Sequence, residues 1–368
     1  MFLPSLGGGG AEKSIVRLAA AFSRRGTPVD LVVGTATGPV RDDVPSSVSI
    51  VDLQSSRVAT ALPGLVRYLR SARPSALFSA MYHANLIAIL AHGLAASAAR
   101  LVISERQSFA ALKHAERGAK ERLLRGAMRL LYRRADAIVT VSGTLADELS
   151  TGLGISKELI FPVYNPVISP RLLALAHEDP RHPWLSDDAP VVVAVGRLVR
   201  EKDFATLIHA VAMIARRRPI RLIIVGDGPL RDELTMLAIR LDIADRVDLP
   251  GRQANPWGFM KRASVFVLSS VSEGMPSVLV EALAIGARVV STDCPTGPRE
   301  ILGEGSPALV PVGDVAALAA AIETNIDGAI PPPSVNVTGF TEAASVAAHR
   351  EILLGDIPSF RASPDRSL

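Results

Sequence analysis

The chain has 368 residues, 48% of them hydrophobic, with no apolar run long enough to span a bilayer, which favours two globular domains and excludes a spanning helix. Its single cysteine, Cys294, excludes an intramolecular disulfide and fits a reducing compartment. The net charge of +4 is split unevenly: residues 1–165 hold 20 Lys/Arg against 12 Asp/Glu, and residues 166–368 hold 20 against 24. A nucleic-acid partner is excluded, because no nucleic-acid motif is present and aromatics reach only 4%. Pro4 and the glycines that follow leave no room for a secretory leader, so a cytoplasmic protein is expected.

In chain order, Phe2–Leu3 predicts a clipped first strand, Gly7–Gly10 a loop, and Ala11–Arg25 a helix with Ile15, Leu18, Ala19 and Phe22 on one face. Strand, glycine loop and helix together suit a phosphate or a sugar. Strands are predicted at Val29–Val33, Ser46–Asp52, Ala76–Ser79 and Leu101–Ser104, with a helix at Leu65–Ala72 and a buried Ala-rich helix at Ala84–Ala99. Ligands of open α/β sheets lie beyond the carboxyl ends of strands. His83 and Asn85 follow one such end and Glu105 another, which makes them candidates for sugar contacts. Lys113–Arg134 holds eight Lys/Arg and two Glu. Arg122, Arg125, Arg129 and Arg133 recur at helical steps, and Leu124, Ala127, Met128 and Leu131 form an apolar stripe. Two readings fit: a helix on an anionic membrane surface, or a solvated helix packed on the sheet by that stripe. Ala137–Val141 closes this half as a strand, and Thr144–Ser150 starts a helix.

Tyr164–Val167 marks a hinge, and the prolines of Pro162–Pro190 predict little regular structure. Val191–Val195 is a β-branched strand, followed by Arg197 and Lys202. An Arg fork and a Lys point charge are what a diphosphate needs. Leu222–Val225 runs into Gly226-Asp227-Gly228-Pro229 and a helix over Leu230–Leu241. Arg246–Leu249 is a short strand leading to Gly251-Arg252-Gln253, and Asn255-Pro256 begins a helix. Val265–Leu268 is a buried strand; a Ser-rich loop carries Glu273; Pro276 opens a helix that ends at Gly286; Arg288–Ser291 is the next strand. The helix holds one charge, Glu281, among apolar residues, where a carboxylate is costly without a partner. Its N-terminus suits a phosphate, and the two carboxylates can accept bonds from sugar hydroxyls. A short helix carrying Glu300, a strand at Leu309–Val312, a helix at Val315–Ile326, a linker at Pro331–Pro333 and a last helix at Phe340–Leu354 complete the chain.

Glu273 and Glu281, with Gly274-Met275-Pro276, the helix and the strand after it, resemble the E-x7-E motif of the retaining glycosyltransferases of family 4. The glycine loop, the string from Arg133 to Ser142 and Tyr164–Val167 extend that resemblance over most of the chain. It implies an α/β protein of GT-B fold, two doubly wound Rossmann-like domains facing a central cleft. Residues 1–165 would bind the acceptor and 166–335 the nucleotide sugar, with 336–368 forming a helix that crosses back and a tail. By the resemblance, the donor contacts are Gly9, Gly10, Arg197, Lys202, Gly226, Arg252, Glu273, Gly274, Met275, Pro276, Ser277 and Glu281. Glu273, Arg197, Lys202 and His83 would carry catalysis, and His83, Asn85 and Glu105 would meet the acceptor.

The resemblance further implies a UDP-sugar co-substrate, no cofactor and no metal. The acceptor would be a glycan or a lipid-linked sugar. The DCPTGPREIL string resembles bacterial enzymes that transfer galactose-type or N-acetylhexosamine sugars in surface-polysaccharide assembly. The protein would then work in the cytoplasm, with the basic helix at the inner face of the plasma membrane. Two alternatives stay open: a nucleotide-sugar 2-epimerase of GT-B fold, and a non-catalytic nucleotide-sugar binder. An NAD enzyme is disfavoured, because no G-x-G-x-x-G follows a first strand. Cys294 has no paired His nearby, which argues against a thiol nucleophile.

Overall fold

The structure, a computed structural model, describes residues 1–7, 9–107, 119–329 and 335–355. The chain divides into two compact units: residues 1–167 with 338–355, and Ile168–Val337.

Unit 1 is built on a seven-stranded sheet of order β3-β2-β1-β4-β5-β6-β7. The strands are β1 (Phe2–Ser5), β2 (Asp30–Thr35), β3 (Ser49–Asp52), β4 (Ala76–Ala80), β5 (Arg100–Glu105), β6 (Ala137–Thr140) and β7 (Ile160–Pro162), all parallel. Its helices are α1 (Gly10–Arg24), α2 (Leu62–Ala72), α3 (Tyr82–Ala95), α4 (Ala119–Leu131) and α5 (Gly143–Leu153). Both faces are covered, so the strands read as unbroken apolar runs. Successive residues face opposite ways: Leu3 and Val33 join a core with α1, whereas Phe2 and Val32 join a core with α2, α3, α4 and α5. β1 is short yet central, paired with both β2 and β4, and the Met1 ammonium bonds to the Asp30 carbonyl at 2.6 Å.

Unit 2 holds a six-stranded parallel sheet of order β10-β9-β8-β11-β12-β13. In chain order come α6 (Pro170–Leu175), β8 (Val191–Val195), α7 (Phe204–Ala215), β9 (Arg221–Val225), α8 (Arg231–Arg240), β10 (Val247–Gly251) and α9 (Pro256–Arg262). Then follow β11 (Val265–Leu268), α10 (Ser277–Ala284), β12 (Val289–Thr292), α11 (Pro298–Leu302), β13 (Leu309–Val310) and α12 (Val315–Ile326). α7, α8 and α12 fill one core with Leu207, Ile208, Leu234, Leu318 and Ile322. The last helix, α13 (Glu342–Leu354), returns to unit 1, where Val346 and Ile352 join the core of α1. Arg100 Nε donates to the Ile352 carbonyl at 2.7 Å, and the Ser345 hydroxyl to that of Tyr164 at 2.7 Å.

The region Pro162–Pro190 holds little regular structure, as expected; its one α-helix is α6, which Ser169 caps by accepting from Leu172 N at 3.2 Å. Other expectations are corrected. α3 begins two residues before the expected Ala84 and so takes in Tyr82 and His83. α7 was not anticipated: its sequence FATLIHAVAMIA is apolar almost all round, and seven of its residues are buried. Of Lys113–Arg134, residues 113–118 lie outside the described residues, as does the linker Pro331–Pro333.

Candidate active site

In each sheet the strand order reverses once, between β1 and β4 and between β8 and β11. Such switch points open a crevice at the carboxyl ends of the strands. Arg197 and Lys202 follow β8, and Glu273 follows β11, so the expected diphosphate and sugar residues sit at the switch point of unit 2. Gly9, Gly10 and His83 follow β1 and β4 at the switch point of unit 1.

The loops after β8, β9 and β10 in unit 2 are bonded together. Gly196 N donates to Val225 O at 3.0 Å, Gly226 N to Gly251 O at 3.0 Å, and Leu198 N to Asp227 O at 3.0 Å. Gly226 has φ +154, and a Cβ there would lie 1.8 Å from the Gly196 carbonyl oxygen, so only glycine fits. Arg200–Lys202 forms a 3-10 turn, and Asp203, at φ +43, caps α7 by bonding Thr206.

That turn locks onto the loop after β11. Lys202 Nζ reaches Glu273 Oε1 at 2.5 Å, and the Ser270 hydroxyl donates to the same oxygen at 2.7 Å. Val271 N bonds to Glu201 O at 2.9 Å, and the Ser269 hydroxyl to Lys202 O at 2.7 Å. The Thr296 hydroxyl donates to the Glu273 carbonyl. Beside it Gly297 has φ +94, and a Cβ would meet Pro276 Cδ at 2.3 Å. The side chains of Lys202 and Glu273 are 21% and 12% exposed. The pair is therefore largely shielded, and each charge compensates the other.

Glu281 lies on α10 and is 6% exposed. Trp257 Nε1, on α9, donates to Glu281 Oε2 at 3.0 Å, which fixes the carboxylate. α9 is itself capped by Asn255 Oδ1, which accepts from Gly258 N at 3.3 Å. Gly274, Met275 and Pro276 lead into Ser277, the first residue of α10; Met275 is buried, so its side chain serves the core. Arg197 and Arg252 are exposed, and among the described residues neither side chain forms a hydrogen bond or ion pair. Cys294 is buried, and burial pushes its thiol up to about 12, which fits its exclusion as a nucleophile.

In unit 1, Gly9 is the N-cap of α1, and the Glu12 carboxylate folds so close that a Cβ on Gly9 would lie 2.5 Å from it. Gly10 is open, with nothing within 4 Å of its would-be Cβ. His83 packs edge-on against Tyr82, ring centroids 4.8 Å apart, and burial holds its imidazole below the usual range. Asn85 and Glu105, expected at an open sheet edge, are instead buried. β5 runs through Glu105, and α3 turns Asn85 inward. Asn85 Nδ2 donates to Glu105 Oε1 at 2.9 Å, and the Tyr132 hydroxyl donates to the same oxygen. Arg106, also buried, bonds Asn165 Oδ1 at 2.6 Å and the Ser14 hydroxyl at 3.1 Å. These polar groups bond one another at the edge of the sheet.

Sequence reasoning missed Ser270, Thr296 and Trp257 as supports of the two glutamates. Ser270 was visible only as a member of the Ser-rich loop. Trp257 lies 24 residues before its partner and carried no local signal beyond being one of two tryptophans in the chain. Among the described residues no group of three or more His, Cys, Asp or Glu could hold a metal ion.

Two doubly wound parallel sheets, with Lys202, Glu273 and Glu281 around one switch point, define a glycosyltransferase of GT-B fold. The family profiles agree: "Glycosyltransferase Family 4" matches residues 8–169, and "Glycosyl transferases group 1" matches residues 177–331. The chain belongs to these glycosyltransferases, with a family 4 domain followed by a group 1 domain.

Among its relatives is an N-acetylgalactosamine-N,N'-diacetylbacillosaminyl-diphospho-undecaprenol 4-alpha-N-acetylgalactosaminyltransferase of Campylobacter jejuni. It is 29% identical over 317 residues, 83% of each chain. An uncharacterized glycosyltransferase of Methanocaldococcus jannaschii is 42% identical over 116 residues, 31% of this chain, and the match spans 29% of that protein's length. The crystal structure of HepE from Anabaena in complex with UDP superposes with a TM-score of 0.72 over 98% of both chains, at 21% identity.

Proposed function

We propose that the enzyme moves a hexose or N-acetylhexosamine from a UDP-sugar, with retention at the anomeric carbon, to a glycan or lipid-linked acceptor of a surface polysaccharide. The observation that carries the reading is the Lys202–Glu273 pair, which joins residues 71 apart at the carboxyl ends of β8 and β11. Glu273 holds the Lys202 ammonium in place before any ligand arrives, so its orientation costs no reorganisation during reaction. Glu281, oriented by Trp257, binds the ribose hydroxyls of the donor. Gly274–Ser277 and the amides that open α10 hold the diphosphate and the sugar. Gly226 and Arg252 flank the nucleotide.

As the bond from the anomeric carbon to the diphosphate breaks, negative charge grows on the leaving oxygen and positive charge on the sugar ring. Arg197 and Lys202 meet the first charge and the Glu273 carboxylate faces the second. His83, kept neutral by burial, offers the acceptor a hydrogen bond rather than a charge. The reading leaves out Asn85 and Glu105 as acceptor contacts. The Campylobacter relative's name, with its undecaprenol-diphosphate acceptor, and the UDP bound by HepE support the choice of acceptor and donor.

The test is UDP release from a panel of UDP-sugars, with and without glycan acceptors and in EDTA. Acceptor-dependent release that EDTA leaves unchanged, with an α-linked product from an α-linked donor, is expected. UDP formed together with an epimerised sugar and no acceptor would assign the 2-epimerase instead. Binding with no turnover would leave a nucleotide-sugar binder.

A further inference from the structure

α2, α3 and α4 lie side by side on one face of the unit 1 sheet. Their inward residues, among them Leu65, Leu69, Ala88 and Met128, account for the packing on the sheet. The sequence stripe of Leu124, Met128 and Leu131 is this inward face, so the solvated-helix reading explains it. It does not explain Leu123 and Leu130, which are 76% and 65% exposed. They stand seven residues apart, two turns, on one outward stripe of α4. On the neighbouring α3, Leu94 and Leu90 are also exposed, at 58% and 37%.

Cations rim these leucines. Arg122 and Arg129 adjoin Leu123 and Leu130 in sequence, are exposed, and form no ion pair among the described residues. Arg67 and Arg70 are exposed on α2, and Arg70 donates to the Leu94 carbonyl at 2.8 Å. Across residues 62–72, 82–95 and 119–131 the sequence holds six Lys/Arg and one acid, Glu121. The nearest acids on α5 are Asp147 and Glu148, and Asp147 is paired with Lys157 at 2.7 Å. Arg125 and Arg133 are different. They donate to the Gly152 and Gly154 carbonyls at 3.2 and 3.1 Å and tie α4 to the end of α5.

Exposed leucines within a ring of arginines match a bilayer with anionic headgroups: the leucines enter the acyl boundary and the guanidinium groups meet phosphates. A second copy of the chain fits less well, because a two-fold contact would set the same cationic rim against itself. We propose that this face of unit 1, centred on Leu123 and Leu130 with Arg122 and Arg129 on the adjoining stripe of α4, docks reversibly on an anionic phospholipid bilayer. The proposal deepens the acceptor reading above, since a lipid-linked acceptor presents its sugar at such a surface.

The test sediments the full chain with phosphatidylcholine vesicles, with or without phosphatidylglycerol, in the absence of donor and acceptor. Binding to the anionic vesicles alone, reversed by salt, is expected. Arg122→Gln with Arg129→Gln should weaken it by about fivefold per cation, and Leu123→Ser with Leu130→Ser by roughly tenfold or more. Both double variants should melt like wild type and turn over a soluble acceptor at the wild-type rate. Wild-type protein that prefers neither vesicle, or a leucine variant that binds as wild type does, overturns the proposal. So does a concentration-dependent dimer that the leucine changes dissolve while vesicles stay unbound. Anionic-vesicle binding by an enzyme that turns over only soluble acceptors would uphold the docking surface and sink the lipid-linked acceptor alone.

Discussion

Replacing Glu105 with Gln asks whether unit 1 is stabilised by keeping a buried acid neutral. Glu105 is 2% exposed. Burial pushes its carboxyl from 4.5 up to about 7, against the downward pull of bonds from Tyr132, Asn85 and the Arg106 amide and of the Arg106 charge. The gap corresponds to roughly 3 kcal/mol at 1.36 kcal/mol per pH unit. The folded state holds this proton more tightly than the unfolded chain. Stability is therefore full below about 4.5 and is lost as pH rises through about 7. Gln keeps an oxygen for Tyr132 and Asn85 and cannot ionise. The variant should gain on wild type across that window by roughly 3 kcal/mol, or about 6–12 °C in the melting of this unit. The difference between the two proteins is the quantity to follow. His349, buried and held down to about 4, titrates in the opposite sense and would mask the slope in either protein alone. Thermal unfolding of both proteins from about pH 5 to about pH 8 reads the difference, and a constant gap across that range would refute the argument.

Arg197→Ala and Lys202→Ala should each lower kcat by about 30- to 1000-fold, corresponding to roughly 2–4 kcal/mol, with a smaller change in donor KM. Near-normal turnover in steady-state assays would remove both from the diphosphate role. Trp257→Phe keeps a ring in the core but deletes the donor to Glu281. The donor KM should rise by a factor matching about 1–3 kcal/mol, and a wild-type KM would contradict the ribose assignment. Gly226→Ala has to displace the Gly196 carbonyl, so unit 2 should melt earlier and UDP binding should fall together; an unchanged melting curve would show that the crossing tolerates a side chain.

β8, β11 and α12 were legible to the residue, because β-branched runs and a capped, Ala-rich helix carry their own signals. α7 was not, since an apolar sequence without polar punctuation has no period to read. At the site, the sequence placed Lys202 and Glu273 past two strand ends, and the structure pairs them. The contacts that fix the two glutamates were not legible: Ser270, Thr296 and Trp257 act through pairings that depend on strand order. Asn85 and Glu105 failed for a related reason. Lying past a strand end says nothing about whether a polar side chain turns toward solvent or toward Tyr132.

The return of α13 to unit 1 has a consequence for synthesis. The two segments that join the units are bonded to each other, Val167 N to Phe340 O at 2.9 Å, so unit 2 is in effect an insertion whose ends meet. On the ribosome, unit 1 is begun first but lacks Val346, His349 and Ile352 until the final turns emerge. Unit 2, translated in the middle, holds all its own strands by then. The half started earlier is thus completed later, and a chain stopped at residue 337 would leave unit 2 whole while exposing the apolar groove of α1.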